Sequence, residues 1–356
     1  MGRSILAALF IGLLAWGGWA LCGAVAGGHP GASKEPVAVG AEESGPPLGL
    51  ESGTTAPPVV PSASPPQAAA APTEAGRIRL LVASGSAREA VGLAKSLTGE
   101  VLRDPAVAGA AREAALSLAD GPGAGPADRV LRADEARRLL GRLAVDGALP
   151  LAAVQERLDA LNREVLLGGR EVPGVLFRHV VKAGDTLDRL MKKDWKGRVG
   201  AGFGFVLWVN HIPSPDRLRV APILVPEEPV RLRVRKKDHQ LWVLVGEVPV
   251  KVLPVGLGMN GRTPEGTFEI EEMMPRPDYW PPGGKRIPFG QKGNPLGTRW
   301  IGFRDTPDAQ GIGIHGTDDP DSIGKDMSQG CVRLRNADVE QLFTWVTVGT
   351  QVEVRP

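Results

Sequence analysis

The first 76 residues constrain the fold of this 356-residue chain most, because they hold little that a packed core needs. Residues Ile5 to Ala26 are uncharged and mostly apolar, a run that suits either an export signal or a membrane-crossing helix. Arg3 places positive charge before the run, as the positive-inside rule expects. The sequence therefore predicts a signal peptide or an uncleaved membrane anchor over 1–28, and both alternatives stay open.

A Pro/Ala/Gly-rich segment over 29–76 follows, with no aromatic residue between His29 and Ala75. Such a segment cannot bury enough apolar surface to offset the conformational entropy that folding would cost. We expect a disordered linker that lets the downstream parts reach a partner away from the membrane. The predicted location is exported, either periplasmic or facing the cell wall, with anchoring in the inner membrane as the alternative.

The charge balance and the cysteine count exclude several classes of protein. Lysine and arginine number 42 and aspartate and glutamate 40, a net charge of +2, whereas dedicated nucleic-acid binders carry a strong basic excess. Cysteine occurs twice, at Cys22 and Cys331, which excludes a disulfide-rich scaffold and a cysteine-based zinc finger. We expect no nucleic-acid partner, no metal and no cofactor.

The composition of residues 77–170 is typical of α-helices, since Ala, Leu, Arg and Glu dominate it. Apolar side chains recur there at helical spacing, for example at Ala90, Leu93, Leu97 and Val101. Pro105 suits the first turn of a helix, and the Gly-Pro-Gly at 121–123 interrupts the pattern. About four short helices in antiparallel pairs are expected. Both a structural bundle and a protein-binding module fit this pattern, and the partner is unknown.

A small module is indicated over 178–226. A β-like run leads to Gly-Asp-Thr-Leu at 184–187, where Asp185 or Thr186 suits a helix cap. A second helix is expected near Phe203 to Val209, closed by Asn210, and Leu-Val-Pro ends the module. These pieces resemble a LysM domain, a βααβ fold that binds N-acetylglucosamine-containing glycans. The resemblance implies glycan-binding roles for Asp185 and Asn210.

From Val230 onward the pattern becomes that of β-strands. Two apolar runs, 241–245 and 248–255, flank a Gly-Glu turn and predict a hairpin. Further strands are expected at Thr267–Ile270, Trp300–Phe303, Gly311–Ile314 and Gln351–Arg355. One helix is expected over 336–346, with Asn336 as its N-cap. The segment 229–356 is thus a mainly-β domain whose long loops can present functional residues.

His315 and Cys331 are the candidates for catalysis in this domain. His315 lies in Gly-Ile-His-Gly-Thr, and Cys331 lies in Ser-Gln-Gly-Cys-Val-Arg. A thiol attacks as its thiolate and needs a base, which imidazole supplies near neutral pH. N–H groups around Gly330 and Cys331 are expected to hold an oxyanion, and Arg333 adds positive potential beside them. Ser328 and Gly330 are placed with Arg333 as substrate or oxyanion residues.

These motifs are similar to the signature of the YkuD-type L,D-transpeptidase family over about 229–355. Further matching pieces are Gly-Arg-Thr-Pro-Glu-Gly-Thr-Phe at 261–268 and Pro-Leu-Gly at 295–297. The resemblance implies a β-sandwich-like catalytic domain with Cys331 as nucleophile and His315 as base. It also implies that the main-chain carbonyl of Gly316 orients the imidazole. The whole chain is then a multidomain α+β protein, with an α-helical N-terminal region, a βααβ LysM-like domain and the catalytic domain.

The same resemblance implies the reaction. Cys331 would attack the carbonyl between the third-position diamino acid and the terminal D-Ala of a peptidoglycan stem, and an amine of a second stem would resolve the thioester into a 3→3 cross-link. Resolution by water gives an L,D-carboxypeptidase, and attachment of a protein or a D-amino acid to peptidoglycan uses the same chemistry. The non-enzymatic alternative is a wall-binding protein that contacts glycan strands.

Two aromatic residues of the Pro-rich 275–288 loop, Tyr279 and Trp280, have two equally open interpretations. They are expected either to form part of a substrate lid or to pack the loop against the domain.

Overall fold

The computed structural model describes residues 71–281, 283–307 and 309–356. The predicted export segment, the predicted linker up to residue 70 and Cys22 lie outside these residues. Within the described ranges, none of the helices has the length and apolar character needed to span a bilayer. All the described residues belong to one compact unit.

Between residue 71 and the predicted small module, the described residues form six α-helices, where about four were expected. Their bounds are α1 Glu74–Ala83, α2 Ala87–Ser96, α3 Gly99–Leu102, α4 Pro105–Asp120, α5 Pro126–Val145 and α6 Gln155–Leu167. The first helix begins inside the predicted linker, because the Thr73 hydroxyl accepts a hydrogen bond from Gly76 N–H and caps it. Pro105 opens α4 as predicted, with Asp104 capping it. The Gly-Pro-Gly at 121–123 lies between α4 and α5.

The segment that follows folds in the order βααβ. Strands β1 Leu176–Val180 and β2 Pro222–Pro226 pair antiparallel, and between them lie α7 Leu187–Arg189, a π-turn over Leu190–Asp194 and α8 Phe203–Val209. The segment has a small apolar core of its own, built from Phe177, Val181, Leu187, Leu190, Trp195, Val206, Leu207, Ile223 and Val225.

The C-terminal part is a curled sheet of eight strands. Its strands are β3 Val230–Arg235, β4 Gln240–Val245, β5 Val248–Pro254, β7 Gly266–Pro275, β8 Arg299–Phe303, β9 Gly313–His315, β11 Val332–Arg333 and β12 Gln351–Arg355. The order across the sheet is β11-β9-β8-β7-β12-β3-β4-β5, and β6 Leu257–Gly258 pairs separately with β10 Asp326–Ser328. The eight strands are hydrogen-bonded into one continuous sheet, where a sandwich-like pair of layers was expected.

Helix α9, Asn336–Trp345, contacts the sheet at β8 and β9. The prediction that Asn336 caps this helix is wrong. Arg335 is the N-cap residue and uses no side-chain hydrogen bond, while Asn336 is the first helical residue. The Asn336 amide is instead engaged by backbone groups of two neighbouring loops.

Glycines at the start of α8, Gly202 and Gly204, bring the βααβ segment close to α9. Gly202 N–H donates to Trp345 O at 2.7 Å, and a Cβ at Gly204 would overlap the Thr344 side chain. Phe205 meets the Trp345 ring edge-on at 5.1 Å between ring centroids. The glycine-rich 197–204 stretch therefore allows a contact that bulkier residues would block.

The six-helix region packs on the outer hairpin of the sheet, formed by β4 and β5. Asn162 Nδ2 donates to Pro249 O at 2.8 Å, and the α5 backbone at Gly141 lies against Val248 and Pro249. Arg137 is fully buried and pairs with Asp134 at 2.7 Å. One continuous apolar core runs from the helices into the sheet.

Candidate active site

The register of four neighbouring strands brings the predicted catalytic residues to one face of the sheet. His315 on β9 is paired with Trp300 on β8 and with Arg333 on β11. Met274 on β7 is the partner of Trp300. Directly paired residues project to the same face, so these four side chains form one cross-strand row.

A second row runs beside the first, two residues along each strand. It consists of Glu272, Gly302 and Gly313, and Cys331 lies next to Gly313 because Val332 pairs with Ile314. Alternation along a strand places Cys331 on the same face as Arg333. The pairing of β9 with β11 therefore brings His315, Cys331 and Arg333 together, although a long loop separates the first two in sequence.

The imidazole of His315 is buried, with 3% of the residue exposed, and it is held in one orientation. Its Nδ1 lies 2.5 Å from the carbonyl oxygen of Gly316. A carbonyl can only accept, so Nδ1 carries the hydrogen and Nε2 is left with a lone pair. Burial lowers the pKa of His315 to about 4; the Gly316 hydrogen bond opposes this shift and the Arg333 charge adds to it. The ring is neutral at pH 7.

The Cys331 thiol is half-buried and is also neutral at pH 7. Burial raises its pKa, while a hydrogen bond from Gly313 N–H and the positive charge of Arg333 act in the opposite direction. Its Sγ lies 3.7 Å from Gly311 O. The resting pair is therefore a thiol and a neutral imidazole, so the proton moves when the thiol attacks.

Ser328 and Gly330 shape the turn that carries the thiol. The Ser328 hydroxyl donates to Cys331 O at 2.6 Å and accepts from Gly330 N–H at 3.1 Å. Gly330 has a φ of 143°, which favours glycine. The prediction that Gly330 N–H holds an oxyanion does not fit this geometry, because that N–H is already bonded to Ser328. Of the two predicted donors, Gly330 N–H and Cys331 N–H, the Cys331 N–H has no hydrogen-bond partner among the described residues.

Asn336 fixes the loop that orients His315. Its Oδ1 accepts from Thr298 N–H and its Nδ2 donates to Thr317 O, both at 3.0 Å. A Cβ at Gly316 would overlap Asn336 Oδ1, so the glycine is needed for this approach. The Asn336 side chain therefore holds Thr317, the residue directly after Gly316, whose carbonyl orients the imidazole.

Replacing Asn336 by alanine should slow acylation of Cys331 by roughly tenfold, since a less precisely held imidazole loses part of a positioned base's contribution. Quenched-flow sampling followed by intact-protein mass spectrometry would measure the rate. Asn336→Asp separates the two bonds: it keeps the acceptor for Thr298 N–H but sets a carboxylate oxygen against Thr317 O, so it should be slowed as well. An unchanged rate in Asn336→Ala would show that the loop holds the carbonyl without this amide.

A cleft of about 390 Å³ opens over the thiol. Tyr279 and Trp280 line it together with Cys331, and 68% of Trp280 is exposed at its mouth. The loop that carries them is tied down by Asn294, whose Nδ2 donates to Pro277 O at 2.9 Å and to Ile287 O at 3.2 Å. The two aromatic residues therefore border the reacting group, and both the lid interpretation and the packing interpretation stay predictions.

Trp300 and Glu272 are cleft residues that the sequence analysis did not single out. The Trp300 indole stacks on the His315 ring, with 5.9 Å between centroids and 28° between planes. Its Nε1 donates to Glu272 Oε1 at 2.7 Å. The sequence does carry a signal for these residues, in the patterns Trp-x-Gly at 300–302 and Gly-x-His at 313–315. In each pattern the glycine lies two positions from the large side chain, on the same face of the strand, and leaves room for it.

The residues predicted to bind glycan lie in the βααβ segment and do not line this cleft. Asp185 Oδ2 accepts from Lys182 N–H at 2.8 Å. The Asn210 amide donates to Val206 O and Leu224 O and accepts from Leu224 N–H, at 2.6–2.8 Å. Both side chains hold the segment's own fold, and their glycan-binding roles stay predictions.

Comparison with known proteins identifies the C-terminal part of the chain. A sequence model described as the L,D-transpeptidase catalytic domain, YkuD, matches residues 229–354. Bacillus subtilis YqjB, provisionally named an L,D-transpeptidase, is 39% identical over 125 residues, which cover 33% of this chain and 67% of YqjB. Bacillus subtilis YkuD, with the same provisional name, is 34% identical over 191 residues, covering 50% of this chain and 99% of YkuD. Bacillus licheniformis YkuD is 31% identical over 161 residues, covering 45% of this chain and 79% of its own length. The chain therefore belongs to the YkuD family of L,D-transpeptidases, acyltransferases that act on peptidoglycan.

Proposed function

We propose that this peptidoglycan L,D-transpeptidase forms 3→3 cross-links between stem peptides, with Cys331 as nucleophile and His315 as general base and acid. The observation that carries the proposal is the pairing of β9 with β11. It places both side chains on one face, with His315 Nδ1 fixed by the Gly316 carbonyl. Nε2 is then the nitrogen left to take the thiol proton.

In the acylation step, Cys331 Sγ bonds to the carbonyl carbon of the third-position diamino acid of a donor stem. His315 Nε2 takes the thiol proton and passes it to the amine of the terminal D-Ala, which leaves as the C–N bond breaks. The products are a thioester and free D-Ala. A neutral imidazole suits these steps, because its Nε2 is unprotonated before the thiol attacks and is unprotonated again after the proton has passed to D-Ala.

The oxyanion that forms in this step would be stabilised by Cys331 N–H and by the positive charge of Arg333. Arg333 is close enough to lower the pKa values of both His315 and Cys331 through its charge. Its buried Nε has no hydrogen-bond partner among the residues that the structure describes. The substrate role predicted for Arg333 therefore rests on its positive charge beside His315 and Cys331.

In the second half-reaction, an amine of a second stem attacks the thioester carbonyl. His315 takes a proton from that amine and returns one to the departing sulfur, so the enzyme is regenerated and an amide cross-link is formed. Water in place of the amine would make the same site an L,D-carboxypeptidase. A protein or a D-amino acid as acceptor would be attached to peptidoglycan by the same steps.

The βααβ segment is proposed to be a LysM-like module that binds the glycan strands of the same wall. Its element order and the antiparallel β1–β2 pair support this, as does the helix start at Thr186, whose hydroxyl accepts from Arg189 N–H. The domain limits 1–28, 178–226 and 229–356 are proposed with it, whereas the predicted boundary at 76/77 between the linker and the helical region moves to Thr73, which caps α1. The enzyme would face the wall from the periplasmic or extracellular side, with its N-terminal segment as the export signal or anchor.

Product analysis tests the proposed function and separates the alternatives. The purified protein is incubated with tetrapeptide-containing muropeptides, and the products are separated and sequenced by mass spectrometry. We expect dimers cross-linked between two third-position residues, with one D-Ala released for each link. Tripeptides alone would indicate an L,D-carboxypeptidase. Unchanged tetrapeptides would overturn the enzymatic proposal and leave the wall-binding alternative.

A further inference from the structure

We propose that Glu272 and Trp300 form a subsite for the side-chain ammonium of the donor stem's third residue. This inference rests on the proposed function and adds a determinant of donor choice to it. The cleft that exposes Cys331 is lined by a carboxylate, aromatic rings and a thioether, a combination that suits an alkylammonium group.

The Trp300 indole lies across the glycines of the second cross-strand row. A Cβ on Gly302 would lie 2.7 Å from Trp300 Nε1, and a Cβ on Gly313 would lie 2.9 Å from the far edge of the same ring. One end of the indole therefore donates to Glu272 and the other end lies beside the strand position next to Cys331. The ring is a flat floor that runs from the carboxylate toward the thiol.

Glu272 is the carboxylate of the cleft wall that has no positively charged partner among the described residues. Of the residues that the structure describes, those lining the cleft include two carboxylates and no lysine or arginine. The second carboxylate, Asp278, is already neutralised: Arg286 Nη2 lies 2.6 Å from its Oδ2, and Phe289 N–H donates to its Oδ1. Within the described part of the chain, Glu272 is paired with the neutral Trp300 N–H and with no cation. A cationic substrate group would complete the pairing.

The separation between Glu272 and Cys331 suits a donor side chain. Three strand-to-strand steps lie between them, about 14 Å between Cα atoms at the usual strand spacing. A lysine-like side chain carries its nitrogen about 6 Å from its own Cα, and the glutamate side chain spans much of the remainder. With the carbonyl of the third residue at Sγ, its side chain can lie along the indole and end at the carboxylate.

The chemistry of the walls favours the donor amine over the acceptor amine. An acceptor amine must reach the thioester carbonyl beside His315 as a neutral nucleophile. Glu272 would instead keep an amine protonated and hold it three strand-to-strand steps from Cys331. Met274 and Trp280 add apolar surface to the same cleft, which suits the methylene groups of a diamino acid. The subsite therefore acts on acylation and not on resolution of the thioester.

The test compares two stem tetrapeptides that differ in one group. The first has a free amine on the third side chain, and in the second that amine is acetylated. Thioester formation is timed by intact-protein mass spectrometry for the full protein and for Glu272→Gln, which keeps an acceptor for Trp300 Nε1. Glu271→Gln is the matched control, because it removes the same charge from the neighbouring residue, which contacts Arg304 instead.

The native protein should acylate with the free-amine peptide roughly two- to fivefold faster than with the acetylated one, the range expected for an exposed charge pair. Glu272→Gln should lose that preference by slowing only with the free-amine peptide, and Glu271→Gln should keep it. A preference that survives in Glu272→Gln, or is missing from the native protein while both peptides still form thioesters, overturns the subsite alone. No thioester from either peptide overturns the proposed function, and the subsite with it.

Discussion

Replacing Cys331 by alanine is expected to abolish thioester formation with a stem tetrapeptide, a loss of at least about 10³-fold in the acylation rate. The sulfur forms the covalent bond to the donor, and alanine offers no atom that can do so. Intact-protein mass spectrometry of the variant after incubation with the tetrapeptide should show the unmodified mass only.

The fold should survive this change, which makes the result specific to the chemistry. The thiol is half-buried, and its polar contacts, with Gly311 O at 3.7 Å and with Gly313 N–H, are the weak ones that sulfur makes. The turn around it is held by Ser328, whose bonds to Cys331 O and Gly330 N–H involve backbone atoms that alanine retains. Thermal unfolding of the variant near the native temperature provides the control. Full acylation of Cys331→Ala would refute the assignment of the nucleophile.

Replacing His315 by glutamine is expected to lower the acylation rate by about 10²–10⁴-fold, the usual contribution of a positioned base. Glutamine can still donate to the Gly316 carbonyl, so the loop should keep its shape, but it cannot take the thiol proton. Arg333→Gln serves as a comparison, because it removes positive charge and leaves the base in place. A His315→Gln variant that acylates at the native rate would exclude the imidazole as base.

The pH profile of the native enzyme should show the same base. His315 acts when neutral, and burial holds its pKa at about 4. The protonated fraction grows as pH falls through that value, so acylation should stay nearly constant from pH 7 to about 5 and decline around 4. An ordinary histidine would already lose activity near 6.5. A tenfold loss between pH 7 and 5.5 would contradict the burial argument.

The same pKa shift affects folding stability in a defined direction. The unfolded chain binds the His315 proton near pH 6.5 and the folded chain near 4, so stability is complete above 6.5 and is lost as pH falls between these values. The loss amounts to about 3 kcal/mol by pH 4. Circular dichroism over the same range therefore has to accompany the rate measurements, so that unfolding is not mistaken for protonation of the base.

Local patterns in the sequence were enough to predict the hairpin and the pair of catalytic candidates. The predicted runs at 241–245 and 248–255 are strands β4 and β5, because alternation and a Gly-Glu turn act over neighbouring residues. His315 directly follows the predicted strand Gly311–Ile314, and in the structure it is the last residue of β9. The short motifs around His315 and Cys331 carried the family resemblance, since each motif is contiguous in sequence.

The parts that were missed depend on contacts between distant residues. Asn336 was interpreted as a local helix cap, yet its amide binds Thr298 and Thr317, which lie 38 and 19 positions away. Glu272 reaches the site through Trp300, 28 positions away. Hydrogen-bond partners of this kind follow from sheet order, and sheet order is not encoded in hydrophobic periodicity.

The helical region also depends on contacts and caps that its apolar spacing does not predict. Its apolar spacing predicted helices, but α2 ends at Ser96 and Val101 lies in a new short helix, α3, with 37% of its surface exposed. A capping Thr98 hydroxyl, which accepts from Val101 N–H, is the local reason for the break. The packing of α6 on β5 through Asn162 and Pro249 joins residues 87 positions apart, which no helical pattern predicts.

Mapping the acylated residue tests the central assignment most directly. The native protein is incubated briefly with a stem tetrapeptide, quenched in acid, digested and analysed by tandem mass spectrometry. The account predicts a mass gain equal to the tetrapeptide less one D-Ala, located on Cys331 and removed by neutral hydroxylamine as a thioester would be. An acyl group on any other residue, or one that still contains the terminal D-Ala, would contradict it.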